Sequence, residues 1–216
     1  MSSYALTLVS GDVASRSQTD RKLRFLTDGF LLPLITLGIW SFVTLYRLMN
    51  RRDRHFAREH ALNRDLLQML KEQVQARGID PLSLPEMAAL EVAARQKEEQ
   101  ELPRSAVLWL ILGIATSVTW LFVYFFLSVD FYRHERREAD LIEKVNAVLS
   151  RVGASTLVPP STDLPERRYW WNLVLTIVTL GIWGIFWYYH IMADGNRHFE
   201  AQWSWEDGLV AQLSVM

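Results

Sequence analysis

Three histidines recur in one local setting. His55, His134 and His198 each follow an arginine (Arg54, Arg133, Arg197), and each lies just past a long apolar run. Imidazole nitrogens bind transition metals, and three of them can hold a catalytic zinc ion. That chemistry requires the copies to pack around a pseudo-threefold axis so that the rings converge. Within any one copy the spacing is no metal signature, and no H-E-x-x-H or carboxylate–His set is read beside it. The competing reading is an interfacial anchor. Arginine would reach lipid phosphate, phenylalanine the acyl boundary, and histidine would lie between them. The anchor is the favoured reading. Arg54, His55, Phe56, Arg133, His134, Arg197, His198 and Phe199 are therefore assigned to a lipid interface or a partner, and no catalytic residue, cofactor or metal is assigned.

The surrounding elements are set by a block pattern. The chain has 216 residues, 50% hydrophobic and 22% charged, with a net charge of −1 and no cysteine. The missing cysteines exclude disulfides, thiolate metal sites and cysteine nucleophiles. The near-neutral charge gives no footprint for nucleic acid. Gly29–Tyr46, Ser105–Val129 and Leu173–Met192 contain no Asp, Glu, Lys or Arg. Runs of roughly 20 such residues match a hydrocarbon core of about 30 Å. Pumps and coupled transporters need buried ionisable residues, and the one imidazole in these runs, His190 near the end of the third, reads as interfacial. The expectation is an all-α integral membrane protein: three apolar helical segments, each followed by an amphipathic interfacial or cytosolic helix. Its parts are a polar tail (1–28), membrane segments at 29–49, 105–129 and 170–193, a basic amphipathic region (50–104), an amphipathic helix with a Pro-rich linker (130–169) and an interfacial tail (194–216).

The segments repeat. Thr36-Leu37-Gly38-Ile39-Trp40 returns as Thr179-Leu180-Gly181-Ile182-Trp183, and both runs end in Arg-His-Phe at the same spacing. Leu112-Gly113-Ile114 reads as a degraded middle copy. Leu62, Leu66, Met69, Leu70 and Val74 fall on one helical face before a stop at Gly78. Leu141, Val145, Val148, Leu149 and Val152 do the same before Gly153. Gly38, Trp40, Gly181, Trp183 and Gly184 are assigned to membrane packing, with Gly181 and Gly184 letting another helix approach. Lys and Arg divide evenly between the two sides of a three-span topology, so charge does not orient it. The alternative is that each segment is a re-entrant hairpin entering from one side and turning at its glycine. Against it stands the cost of unsatisfied backbone at membrane depth, and three spanning helices are preferred.

The T-L-G-I-W motifs, with Tyr46 and Tyr189 downstream, resemble an uncharacterised prokaryotic membrane family with tandem T-L-G-I-[YW] motifs. The resemblance covers the first and third segments. It implies a small bacterial or archaeal inner-membrane protein and carries over no catalytic residue. The functional expectation is a non-enzymatic membrane scaffold or accessory subunit, docking through its repeated segments and amphipathic helices. Its partners would be membrane lipids and another membrane protein or a second copy. An oligomeric channel is the alternative.

Overall fold

A computed structural model describes residues 4–116, 118–160 and 164–214. A single unit recurs in it: a short apolar helical arm, a tight reversal and a long helix. In the first copy a π-helical stretch, Phe25–Leu31, runs into α3 (Leu32–Ile35) and reverses into α4 (Ile39–Ala76). In the second, α6 (Ala106–Ala115) reverses into α7 (Thr119–Arg151). In the third, α8 (Tyr169–Val178) reverses into α9 (Ile182–Leu213). Ahead of these lie α1 (Tyr4–Ala14) and a turn of helix, α2 (Arg16–Thr19). Between the first two copies, α5 (Pro85–Gln100) packs against α4 and α7.

This overturns the expected integral inner-membrane protein with three spanning segments. Among the described residues no helix is long and apolar enough to cross a membrane. Each apolar segment folds back in its middle, and the ten-residue arms α6 and α8 reach only about 15 Å. Two ten-residue arms have the same composition as one twenty-residue span, so hydropathy alone cannot separate them.

The T-L-G motif is the reversal. Leu37 and Gly38 take φ of 51° and 90°, and Leu180 and Gly181 take 49° and 94°. Gly38 N–H donates to the Pro33 carbonyl at 2.7 Å, and Gly181 N–H to the Thr176 carbonyl at 2.8 Å, each closing the C-terminal end of an arm. The threonine then caps the next helix. Thr36 Oγ1 accepts from Trp40 N–H at 2.9 Å and donates to the Leu32 carbonyl at 2.7 Å. Thr179 Oγ1 repeats both bonds with Trp183 and Leu175, at 2.9 and 2.7 Å. Polar backbone groups at the turn are thereby satisfied within the turn, which removes much of the energetic objection to a reversal in an apolar setting.

The assigned packing glycines separate by role. A Cβ on Gly38 or Gly181 would meet nothing within 4 Å, whereas one on Gly184 would sit 3.0 Å from Thr176 Cγ2. Gly38 and Gly181 supply backbone angles. Gly184 supplies close approach, but between the two arms of its own hairpin. Trp40 lies under the Arg47 guanidinium at 4.9 Å from its ring centre, and Trp183 Nε1 donates to Asn172 at 2.9 Å. In the middle copy Gly113 is not the turn. The chain reverses after Ala115, and Gly113 instead offers its carbonyl to Trp120 Nε1 at 3.2 Å.

The three long helices build two apolar cores. One, near the reversals, holds Leu48, Met49, Val123, Trp187 and Met192. The far one buries both amphipathic stripes, Leu62 to Val74 and Leu141 to Val152. Ala5, Val9 and Val13 of α1 enter that far core, so much of the expected polar tail is packed structure. The helix stops at Gly78 and Gly153 form with φ of 74° and 68°.

Candidate functional site

Between the two cores lies a buried polar layer. Ile39 to His55 and Ile182 to His198 are equal intervals along continuous helices, about 24 Å from the turns. His134 reaches the same level on α7. His55, His134 and His198 are 0%, 0% and 1% exposed, with ring centres 5.4, 4.9 and 5.1 Å apart pairwise. Phe56, Phe131, Phe199 and Leu164 seal the layer, and Phe56 stacks on His134 at 4.2 Å.

Each imidazole has a carboxylate at Nδ1. His55 Nδ1 lies 2.9 Å from Asp20 Oδ1, His198 Nδ1 3.1 Å from Glu135 Oε1, and His134 Nδ1 3.0 Å from Glu101 Oε1. On the other side of the rings, the Nε2 atoms of His55 and His198 are 2.9 Å apart. His134 Nε2 faces Glu59 Oε2, which also lies 3.7 Å from His55 Nε2. Both His134 contacts have ion-pair distance but not hydrogen-bond alignment, and Glu59 Oε2 has no hydrogen-bond partner.

A second ring of side chains lies one turn along. Glu59, Glu138 and Gln202 each stand four residues after a histidine, which places them on the same helix face. They are 1%, 3% and 0% exposed. Glu138 Oε1 and both polar atoms of the Gln202 amide lack a hydrogen-bond partner. Lys97 from α5 pairs with Glu59 Oε1. Arg58 bridges Glu206 at 2.7 Å and Asp20 at 3.0 Å.

Electrostatics follow from burial and unequal pairing. Burial brings His55 down to about 3 and lowers His198. Burial opposes a charge on His134 too, but Glu101 and Glu59 overcome it and push that ring up to about 9. Burial and the adjacent Glu59 carboxylate push Glu138 up to about 8. Burial also raises Glu206 to about 7 despite Arg58, with Asp20 and Glu59 adding to the rise. The raised values of Glu138 and Glu206 favour their neutral forms, and that of His134 favours its cation, so the layer holds fewer charges than its residue types suggest. Two triads place one donor atom from each member within 4.8 Å of the others: His55, His134, His198 and Glu59, His134, Glu138.

The anchor assignment divides accordingly. Arg54, Arg133 and Arg197 are exposed. His55, Phe56, His134, His198 and Phe199 are buried inside the fold, not on its surface where an anchor would stand. The three rings converge. What was missed is the carboxylate set, and its trace was in the chain as His-x-x-x-Glu, His-x-x-x-Glu and His-x-x-x-Gln.

The opposite end of the molecule is apolar and open. Leu37 and Leu180 are each 94% exposed at the reversals. Ile35, Ile39, Ile114, Val118, Val178 and Ile182 are exposed around them. Trp170 and Trp171 stand exposed beside the exposed Arg168, where the third arm begins. No protein-family model, curated protein or solved structure matches this chain.

Proposed function

We propose that this chain is a non-enzymatic docking protein that seats its three hairpin tips in one leaflet of a lipid surface without crossing the bilayer. The observation that carries the reading is the exposed apolar cap formed by Leu37, Leu180 and the isoleucines and valines around them. A contiguous apolar surface of this kind marks an interaction site. Because the three histidines meet at one level and every long helix begins at its own turn, all three tips lie at the same end. The arms of about 15 Å match one leaflet of a hydrocarbon core of about 30 Å.

The zoning along the arms favours lipid over a protein partner. Apolar residues occupy the tips and arginine the base, where Arg24, Arg104 and Arg168 each stand within two residues of the start of a first arm, with the exposed Trp170 and Trp171 beside Arg168 in the third. Aromatic rings and cations at that depth are the composition of a lipid–water boundary, and each cation contributes about 1 kcal/mol toward anionic lipid.

Flotation of the full chain with vesicles of mixed zwitterionic and anionic lipid tests the reading. The parent is expected to float with the vesicles, and Leu37→Asp/Leu180→Asp to remain at the bottom while keeping its helical circular dichroism. A parent that stays monomeric and unbound beside vesicles overturns the proposal. A parent that assembles into a defined oligomer and ignores vesicles assigns the cap to a second copy instead.

A further inference from the structure

We propose that His55, His134 and His198, with Glu59 as fourth ligand, bind one divalent first-row transition-metal ion that clasps the three hairpins together. The four ligands come from the three long helices, His55 and Glu59 from α4, His134 from α7 and His198 from α9, so every hairpin contributes. An ion there would tie all three hairpins together at one point between the two apolar cores.

The imidazole geometry is that of prepared ligands. A carboxylate accepts hydrogen bonds and cannot donate them. Nδ1 of His55, facing Asp20, and Nδ1 of His198, facing Glu135, therefore carry the protons. Each Nε2 is then a bare lone pair, and the two lone pairs face each other across 2.9 Å. Two such acceptors repel unless a proton or a metal ion lies between them, and a metal ion can be shared with His134 and Glu59 as well. Carboxylates behind metal-bound histidines fix the ring and its tautomer in this way. Tetrahedral ligation with metal–nitrogen bonds of about 2.0–2.1 Å separates two nitrogens by about 3.3 Å, so a small opening admits the ion.

A further observation points at the same space. Glu59 Oε2 is buried without a hydrogen-bond partner and lies against His134 Nε2 and His55 Nε2. Its other oxygen is engaged by Lys97, which orients the carboxylate. The ammonium of Lys97 stands beside Glu59, where a second ion in the Glu59–His134–Glu138 triad would need to share that carboxylate. One ion, not two, is therefore assigned.

Nitrogen-rich ligation with a single carboxylate selects zinc and its first-row neighbours over magnesium or calcium. All ligands are 0–1% exposed, and closed four-ligand sites are structural. The inference concerns the bundle's assembly and holds with or without lipid docking at the tips.

The test uses the purified full chain, stripped with a chelator and titrated with Zn²⁺ or Co²⁺ in the absence of vesicles. The expected result is one ion per chain, a rise in Tm on addition that the chelator reverses, and the visible absorption of tetrahedral Co²⁺. His198→Gln is expected to lose stoichiometric binding. Glu135→Gln, which only orients a ligand, is expected to keep one ion per chain with affinity about 10–100-fold lower. No binding by the parent, or equal binding by His198→Gln, overturns the proposal. If His198→Gln does not fold, Glu135→Gln and the parent titration decide: an unchanged affinity in Glu135→Gln places any bound ion elsewhere.

Discussion

The tip end and the histidine layer invert the usual arrangement of a protein in opposite ways. At the tips, leucines and isoleucines face outward with no cover. In the layer, about 24 Å away along the same helices, histidines, carboxylates and two cations are enclosed to a few per cent exposure. The sequence codes both ends with one repeated unit, yet the physics of the two is distinct. The tips are satisfied locally: each turn closes its own hydrogen bonds and asks nothing of the other hairpins. The layer is satisfied only across hairpins, because Asp20, Glu101 and Glu206 reach histidines and arginines on other helices. The tips should therefore tolerate substitution without unfolding, and the layer should not.

The largest effect is expected in the layer. Arg58→Met leaves Asp20 and Glu206, both fully enclosed, without their shared cation. Removing one member of a buried charge pair costs about 3–5 kcal/mol. Urea unfolding should show this loss for Arg58→Met. For Arg54→Met, at an exposed position four residues away on the same helix, the change should stay within about 0.5 kcal/mol. Similar losses in both variants would mean that the layer is not the cooperative part of the fold.

At the tips the balance reverses. Leu37→Asp/Leu180→Asp should leave urea stability within about 0.5 kcal/mol, since neither side chain is packed. Withdrawing two leucines from lipid forfeits about 1.5–3 kcal/mol each. Vesicle affinity should therefore fall by about two decades or more. Loss of stability in parallel with loss of binding would place the leucines in a core that the free molecule already has.

How much of this was legible differs between the same two regions. The reversal was written in the sequence: Thr-Leu-Gly twice, with glycine at the point where φ turns positive. It was outweighed by segment length, because hydropathy sums residues and is blind to a turn between them. The threonine that satisfies the backbone at the turn was the decisive local signal, and it reads as an ordinary helix residue until the reversal is seen. Both amphipathic stripes and both glycine stops were legible, since period and stop are local properties. The layer was half legible. Three histidines at matching positions pointed to convergence, but single-span topology would have placed them on opposite faces. The glutamates four residues after His55 and His134 are local and readable. Asp20, Glu101 and Glu206 are not, because their partners lie on other helices and only packing brings them in.

The turns give a smaller and more local comparison. Thr36→Val and Thr179→Val keep side-chain shape and remove the hydroxyl that caps Trp40 N–H or Trp183 N–H. Each should cost about 1 kcal/mol. In the middle copy Thr116 and Thr119 both donate to the Leu112 carbonyl, at 3.3 and 3.2 Å. Thr116→Val should therefore cost less than either, and unfolding of the three single variants side by side checks the order. An equal cost at all three turns would show that the middle copy closes as the others do.

The smallest effect separates the layer from the far end of the bundle, where acidic groups meet without a cation between them. Burial pushes Asp12 up to about 6, and Asp65 adds to the rise. The folded state thus holds a proton that the unfolded chain, with its ordinary value of 3.8, has already released. Stability from this group is fully present below about pH 4, falls as pH rises toward 6, and is flat above that. The displacement corresponds to about 3 kcal/mol at most, and partial exposure of Asp12 reduces this to about 1–2 kcal/mol. Asp12→Asn keeps the shape and a donor toward Asp65 without the ionisation. It should stabilise the chain by about 1–2 kcal/mol at pH 7.5 and leave stability near that of the parent at pH 3.5, as measured by urea unfolding at both values. A gain of equal size at both pH values would trace the effect to packing. No gain at pH 7.5 would mean that Arg58 and Arg64, which oppose the rise, already balance the pair as Arg58 and Lys97 partly balance the layer.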